Sequence, residues 1–191
     1  KGASYGDLQG SICILHEQGA SYGYLRNTPW GILTFPETIR AQTLAAISVA
    51  TSGFCMREEL LNYQKNYFTD QLKIAQKDPV AGVRFAVKGD RTREYYLLKV
   101  LLTHDIPVYR DSKEQGYIVP MIQDRYYTFK AMWDHITSFK DSVFYDVSTW
   151  SFPSAFGVES ENLKSVQGRL SERVTEPLFS KGAVSGGISN I

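Results

Sequence analysis

The chain has 191 residues, of which 43% are hydrophobic and 21% are charged, and its formal net charge is +1. This length corresponds to one full domain or two partial ones, with enough apolar side chains for a core. A net charge so close to zero gives no support to nucleic acid or an anionic membrane surface as a partner. No apolar run approaches the roughly 20 residues of a membrane-spanning helix.

Neither end of the chain nor its cysteines identifies a compartment. The sequence starts at Lys1 without an initiator methionine or a signal peptide, which we interpret as an internal cut in a longer protein. The two cysteines, Cys13 and Cys55, show neither metal-ligand spacing nor a disulfide pattern. We interpret both as small buried hydrophobic residues.

The first predicted element is a strand over Ser11–His16. Its apolar run Ile12-Cys13-Ile14-Leu15 is long enough for a buried strand and too short for a helix. The strand ends on His16 and Glu17, and a glycine-broken loop follows. A carboxylate at the end of a buried strand is held in place by the strand and reached from the loop, which suits acid or base chemistry.

The residues around Glu17 have both a functional and an ordinary interpretation. Side chains alternate along a strand, so His16 and Glu17 face opposite ways, and we interpret His16 as packed or solvent-facing. In the loop, Tyr22, Tyr24 and Arg26 are candidate substrate-binding residues, with Arg26 facing a substrate carboxylate. The alternatives are a surface carboxylate at Glu17 and an ordinary surface loop after it.

Two helices follow. The first is predicted from about Glu37 to Thr51, with Pro36 in its first turn and Gly53 just past its end. We expect it to pack against a sheet through one face, which carries Ile39, Thr43, Ala46, Ile47 and Ala50. The second covers Phe54 to Asp78, with apolar residues at helical spacing and charges on the other face. We interpret it as a connection between domains.

A strand–helix–strand pattern then begins. Val83, Phe85 and Val87 alternate as in a strand, Gly89-Asp90 forms a turn with Asp90 as helix N-cap, and Arg91 to His104 is amphipathic. A strand over Ile106–Tyr109 completes a unit typical of parallel α/β sheets. The lone glycine at Gly89 is too weak a signal to indicate a phosphate site.

The remaining elements are less regular. We predict a strand over Tyr117–Ile122 and a helix from about Asp124 to Phe139. That helix carries Tyr127, Ala131, Trp133 and Ile136 inward. An aromatic cluster is expected to pack in the core or between domains, and its members are Phe144, Tyr145, Trp150, Phe152 and Phe156. From Glu159 onward the sequence gives no clear pattern.

Three segments in order carry a family resemblance. H-E-Q-G-A-S-Y-G-Y followed by G-I-L-T-F-P-E-T-I-R-A-Q resembles the last strand, loop and helix of the catalytic domain in carboxypeptidase A-type zinc metallocarboxypeptidases. R-E-E-L-L-N-Y-Q-K and D-S-V-F-Y-D-V-S-T-W-S-F-P-S-A-F-G resemble the region that follows that domain in large Bacteroidetes-type members. In those members the region is similar to a class I glutamine amidotransferase-like, flavodoxin-like domain. The resemblance covers Gly10 to about Val158.

The resemblance implies a role for Glu17 as general base and then general acid toward a zinc-bound water, whose pKa the metal lowers to near neutrality. The family's ligand motif, His-x-x-Glu with a distant His, is absent, and the three histidines are scattered at His16, His104 and His135. The zinc ligands are therefore expected before Lys1, and this chain alone is not expected to hydrolyse peptides. The implied location is the periplasm, the cell surface or the medium.

The region from residue 80 onward is expected to be non-catalytic. An amidotransferase needs a cysteine nucleophile on a strand–helix turn, and no cysteine follows Cys55. We therefore expect an α/β chain with three parts: residues 1–53 as the tail of a carboxypeptidase-like catalytic domain, 54–79 as a connecting helix, and 80–191 as a partial flavodoxin-like accessory domain.

The expected function is that of a fragment of a zinc-dependent carboxypeptidase that removes C-terminal residues from peptides. Its expected partners are a peptide substrate and the remainder of the polypeptide, with zinc as cofactor of the full-length protein only. Two alternatives stay open. The protein is a non-catalytic binding or assembly component, or its α/β module binds a small ligand.

Overall fold

The computed structural model describes residues 2–17, 23–135 and 151–177. The chain divides into two compact units, Lys1–Thr69 and Asp70–Ile191. The first unit contains helix α1 (Gly2–Asp7), strands β1 (Leu25–Thr28) and β2 (Gly31–Thr34), helix α2 (Phe35–Cys55) and most of helix α3 (Arg57–Ala75). The second contains β3 (Gly82–Ala86), α4 (Arg91–Thr103), β4 (Tyr109–Asp111), β5 (Tyr117–Pro120), α5 (Tyr126–Trp133), α6 (Phe152–Phe156), β6 (Glu159–Leu163) and β7 (Leu170–Arg173).

The two predicted helices of the first unit are confirmed, with changed ends. α2 begins with a capping box, in which the Glu37 N–H donates to Thr34 Oγ1 at 3.3 Å and the Thr34 N–H donates to Glu37 Oε2 at 2.9 Å. Gly53 does not end α2, because the helix continues to Cys55 and only Met56 separates it from α3.

The strand predicted over Ser11–His16 is wrong for this structure, in which residues 11–17 have no regular secondary structure. The first two strands lie instead in the predicted loop, where β1 and β2 form an antiparallel hairpin with Leu25 opposite Thr34. A strand requires a neighbour to satisfy its backbone N–H and C=O groups. Ile12, Ile14 and Leu15 are 56%, 59% and 69% exposed.

The expected packing of α2 against a sheet is also not found. Within the described part of the chain α2 has no buried residue, and every residue of the predicted inward face is exposed. Ile39 and Ile47 are 50% and 57% exposed. The apolar spacing that predicted the helix was correct, but the first unit supplies no surface that covers it.

The second unit is built on a five-stranded antiparallel sheet with the order β6-β3-β5-β4-β7. Val83 lies opposite Val119 of β5 and Asn162 of β6, which places β3 inside the sheet between those two strands. With α4 after β3 and α5 after β5, the order of elements is that of a split β-α-β, or ferredoxin-like, topology with β7 added beside β4.

The parallel arrangement predicted for this region is not what the described strands form. β3 and β4 do run in the same direction, as the strand–helix–strand pattern predicted, because both are antiparallel to β5. β5 lies between them, since the short link of residues 112–116 folds it back beside β4. The chain is therefore mixed α/β, with an antiparallel sheet.

One hydrophobic core holds this unit together. Phe85, Leu97, Leu101 and Phe129 are each 0% exposed, so β3, α4 and α5 meet in the same cluster. Four such side chains each contribute roughly 1.5–3 kcal/mol of burial free energy. Helix α4 starts where predicted, with Asp90 Oδ1 accepting from the Arg93 N–H at 2.9 Å.

Other predictions for this unit are confirmed only in part. Tyr126, Thr128, Phe129 and Trp133 are the buried residues of α5, whereas Ala131 is exposed. Of the aromatic cluster, Phe152 and Phe156 pack against the core as expected, with ring centroids 5.6 Å apart. Its other members, Phe144, Tyr145 and Trp150, lie outside the described residues, as does Ile136.

Candidate functional site

The segment that carries Glu17 is attached to α1 at its beginning. Ser11 Oγ donates to the Gly6 carbonyl at 2.6 Å, and the Cys13 N–H donates to Asp7 Oδ1 at 2.8 Å. Beyond Cys13 the segment runs through exposed apolar residues to His16 and Glu17, whose side chains are exposed as well. Glu17 is thus a solvent-accessible carboxylate at the end of an extended apolar segment.

The candidate substrate-binding residues that the structure describes lie at the β1–β2 hairpin: Arg26 is on β1, and Tyr24 lies just before it. Tyr24 comes just before β1, its side chain is 83% exposed, and its carbonyl accepts from the Phe35 N–H at 3.0 Å. Arg26 lies on β1 opposite Leu33 and is exposed. Tyr22 is among the residues that the structure does not describe.

The cysteines differ from the sequence interpretation. Cys13 is half-buried, with its sulfur against Gly6, but Cys55 at the end of α2 is exposed. The prediction of a buried Cys55 is wrong, because α2 has no cover in the first unit.

The described residues, 2–17, 23–135 and 151–177, do not form a zinc site. Among them, no three or more His, Cys, Asp or Glu side chains lie in an arrangement that could hold a metal ion. His104 follows α4, and its Nδ1 lies 2.8 Å from the Val100 carbonyl. His16 and His135 are exposed on other segments. No helix among the described residues is long and apolar enough to cross a membrane.

The second unit contains a polar cleft of about 640 Å³ at one end of its sheet. β3 ends there, β5 and β6 begin there, and α4 starts there. The polar residues that line it come from these elements, from β4 and from the links before α4 and β5: Arg84, Lys88, Glu94, Arg110, Glu114, Tyr117 and Glu159. A smaller cleft adjoins it and shares Glu94, Arg110, Gln115 and Tyr117.

Tyr117 and Arg110 form one wall of this cleft. The Tyr117 hydroxyl donates a short hydrogen bond to Glu94 Oε1, and the Arg110 guanidinium lies over the tyrosine ring at 5.6 Å from its centroid. Burial, followed by the contact with Glu94, raises the pKa of Tyr117 to about 12. The hydroxyl therefore stays protonated and remains a donor to Glu94 at neutral pH.

A buried ion pair adjoins the cleft and shares Arg84 with it. Asp111 Oδ2 accepts from Arg169 at 2.6 Å and from Arg84 at 3.2 Å, and its side chain is 0% exposed. Burial opposes the charged form of Asp111, but the hydrogen bonds from Arg169, Lys113 and Arg84 lower its pKa overall. The Arg84 and Arg169 guanidinium groups also contact Glu114, at 3.0 and 3.2 Å.

The sequence did not single out the charged residues of this cleft. Arg84, Glu94, Arg110 and Glu159 are spread over four elements, and their proximity depends on the antiparallel strand order. The one local signal was the Gly89-Asp90 turn, which does lie at the cleft's edge, since Gly89 lines it.

No family model, curated protein or solved structure matches this chain.

Proposed function

We propose that this chain is the C-terminal part of a zinc metallocarboxypeptidase, to which it contributes Glu17 as general base and acid. In this proposal the first unit completes the catalytic domain, with Tyr22, Tyr24 and Arg26 as substrate-binding residues, and the second unit is an accessory domain. The zinc ligands belong to residues that this sequence does not include, and the substrate is a peptide from which the C-terminal residue is removed. The implied location is the periplasm, the cell surface or the medium.

The observation that carries the proposal is the apolar segment before Glu17. Ile12, Ile14 and Leu15 are more than half exposed, although their burial would contribute roughly 1.5–3 kcal/mol each. Such a segment is typical of a strand without its sheet, because a neighbouring strand would both cover the side chains and pair the backbone. If the segment became a strand on pairing with the rest of the domain, Glu17 would lie at the edge of that sheet.

Helix α2 supports the same interpretation. Its capping box is complete, so its start is well defined by local sequence, yet none of its residues is buried among the described residues, and Ile39, Leu44 and Ile47 are 50%, 56% and 57% exposed. Contiguous exposed apolar surface of this kind indicates an interaction surface. An apolar segment and a following helix that both lack a covering sheet would be expected at the end of a catalytic α/β domain taken without the rest of that domain.

The chemistry that Glu17 supplies is proton transfer. An exposed carboxylate next to a bound peptide can take the proton from the attacking water and return it to the leaving amine. Arg26, as a guanidinium, is suited to a bidentate contact with the terminal carboxylate of the substrate. The residues described here do not themselves form the metal site, so these two roles are the ones assigned to this chain.

The test uses the gene product that includes the sequence upstream of Lys1. Glu17→Gln keeps the shape of the side chain and removes its basicity, so kcat/KM for release of C-terminal residues should fall by about 10²–10⁴-fold. The zinc content, measured by elemental analysis, should stay the same. Glu59→Gln on the exposed surface of α3 is the matched control and should leave kcat/KM unchanged.

Full activity in the Glu17→Gln protein would remove Glu17 from the mechanism. An upstream sequence without the His-x-x-Glu motif and second histidine would overturn the enzyme proposal as a whole. The polar cleft of the second unit favours the alternative in that case, a non-catalytic binding component.

A further inference from the structure

We propose that the polar cleft of the second unit binds a small zwitterion, namely an amino acid or short peptide that carries both an ammonium and a carboxylate group. The residues that form the cleft all belong to Asp70–Ile191. The proposal is therefore independent of Glu17 and of the proposed carboxypeptidase function.

The size of the cleft suits a small ligand. Its volume of about 640 Å³ falls within the range of roughly 300–1,000 Å³ that small-molecule sites occupy. Most of its charged or aromatic lining residues stand on strands or on the first turns of α4, next to the buried core: Arg84, Glu94, Arg110, Tyr117 and Glu159. Lys88 and Glu114 lie on loops. Groups held on regular elements are better placed for binding than groups on loops.

The charged residues that line the cleft favour a ligand that carries both a positive and a negative group. Three cations and three carboxylates face it: Arg84, Lys88, Arg110, Glu94, Glu114 and Glu159. A polyanion such as a nucleotide would meet the carboxylates, and a simple cation would meet the arginines and the lysine. A zwitterion presents an attractive group to each sign and avoids the like-charge cost.

Arg110 is the group best suited to the ligand carboxylate. Its Nε lies 3.6 Å from Glu172, and the two side chains are 44% and 79% exposed, so this ion pair is worth about 0–1 kcal/mol and is easily replaced. The guanidinium also lies over the Tyr117 ring at 5.6 Å from its centroid, and its planar fork of donors suits a bidentate contact with a carboxylate. Arg84, by contrast, is already held by the buried Asp111.

Lys88 and Glu94 complete the proposed contacts. Lys88 pairs with Glu159 at 2.8 Å, but both side chains are more than 70% exposed, so the lysine can turn to a ligand carboxylate at little cost. Glu94 accepts from Tyr117 through one oxygen, and a carboxylate has about four acceptor positions. Glu94 can therefore receive the ligand ammonium without releasing Tyr117.

Calorimetric titration of the 191-residue chain tests the ligand class with three matched probes. L-Alanyl-L-alanine carries both charges, N-acetyl-alanyl-alanine lacks the ammonium, and alanyl-alanine amide lacks the carboxylate. We expect the free dipeptide to bind, and each blocked form to bind at least about tenfold more weakly, because one charge-assisted hydrogen bond is lost. Absence of binding by the dipeptide, or equal binding of a blocked form, would overturn the proposal.

Two substitutions then assign the site. Arg110→Gln should weaken dipeptide binding at least about tenfold, and Lys88→Gln, at an exposed loop position where folding is not at stake, should weaken it as well. Arg173→Gln on β7 removes an exposed arginine that does not line the cleft and is the matched control. Unchanged affinity in both the Arg110 and the Lys88 variants would place the dipeptide elsewhere and overturn the assignment.

Discussion

Gly116 is the residue on which the shape of the polar cleft most directly depends. It precedes β5 with φ at +141°, a backbone conformation that is essentially restricted to glycine. A Cβ at this position would come within 2.6 Å of the Phe85 carbonyl oxygen. The link of residues 112–116 therefore brings β5 into register beside β3 only because position 116 has no side chain.

Gly116→Ala should consequently destabilise the second unit by about 3 kcal/mol, the upper range for a residue forced into such a conformation. Urea unfolding followed by tryptophan fluorescence measures the loss. Gly168→Ala is the matched control, because Gly168 also has a positive φ, +68°, but no atom lies within 4 Å of the position of its Cβ. It should cost only about 1–2 kcal/mol. Equal losses in the two variants would show that the close approach to Phe85 has no energetic effect.

At the scale of elements, the Asp111 ion pair joins β3, β4 and the connection between β6 and β7. Arg84 reaches Asp111 from β3, and Arg169 reaches it from the turn before β7. Because the Asp111 side chain is 0% exposed, removing its charge leaves two partly buried guanidinium groups without this carboxylate. The contacts that remain are Glu114 and, for Arg84, the Gln115 carbonyl at 2.8 Å. Breaking a buried pair in this way costs about 3–5 kcal/mol.

The same ion pair predicts how stability depends on pH. The folded-state pKa of Asp111 is lowered, so its contribution is present above its unfolded value of about 3.9 and is lost as the pH falls through the folded-state value. The free energy of unfolding of the wild-type chain should therefore decrease below about pH 4. Asp111→Asn should be less stable at pH 7 and should show a shallower decrease in acid.

Urea unfolding of both proteins between about pH 2 and pH 7 checks this expectation. Glu172→Gln, which removes an exposed partner of Arg110, should keep the acid-dependent decrease of the wild type. Parallel pH profiles for wild type and Asp111→Asn would contradict the assignment of this decrease to Asp111.

The elements of the second unit were more predictable than their pairing. Alternation marked β3, helical spacing marked α4, and Asp90 marked where α4 begins, since all three depend on local sequence. Strand order depends on long-range contacts, and a strand–helix–strand pattern does not reveal that β5 will lie between β3 and β4. β6 was missed because the first four residues of this edge strand, E-S-E-N, are exposed and polar, and only Leu163 is buried, so the sequence carries no apolar alternation.

At the scale of the whole molecule, the candidate sites differ in how the sequence encodes them. Glu17 was singled out because it follows a contiguous apolar run, and its role stays a prediction. The cleft of the second unit was not predicted, because Arg84, Arg110 and Glu159 are far apart in sequence and meet only at the end of an antiparallel sheet. A local sequence pattern can thus indicate a candidate residue at the end of a helix or strand. A site whose residues are brought together only by the strand order can be recognised only once the structure is known.

The exposed apolar face of α2 leads to a prediction about stability that differs between the 191-residue chain and the longer gene product. Leu44 and Ile47, one turn apart, are 56% and 57% exposed. In the 191-residue chain alone, the double substitution Leu44→Gln and Ile47→Gln should not lower the free energy of unfolding, and it should reduce binding of a hydrophobic dye.

If the proposed catalytic domain covers this face, the same double substitution in the gene product with its upstream sequence should lower the free energy of unfolding by about 3–6 kcal/mol, roughly 1.5–3 kcal/mol for each side chain. The control pair Ser48→Gln and Ser52→Gln changes exposed polar positions of the same helix and should have little effect on dye binding by the 191-residue chain. A double Leu44/Ile47 variant that is neutral in both proteins would contradict the packing of α2 against a catalytic domain, and with it the structural basis of the proposed function.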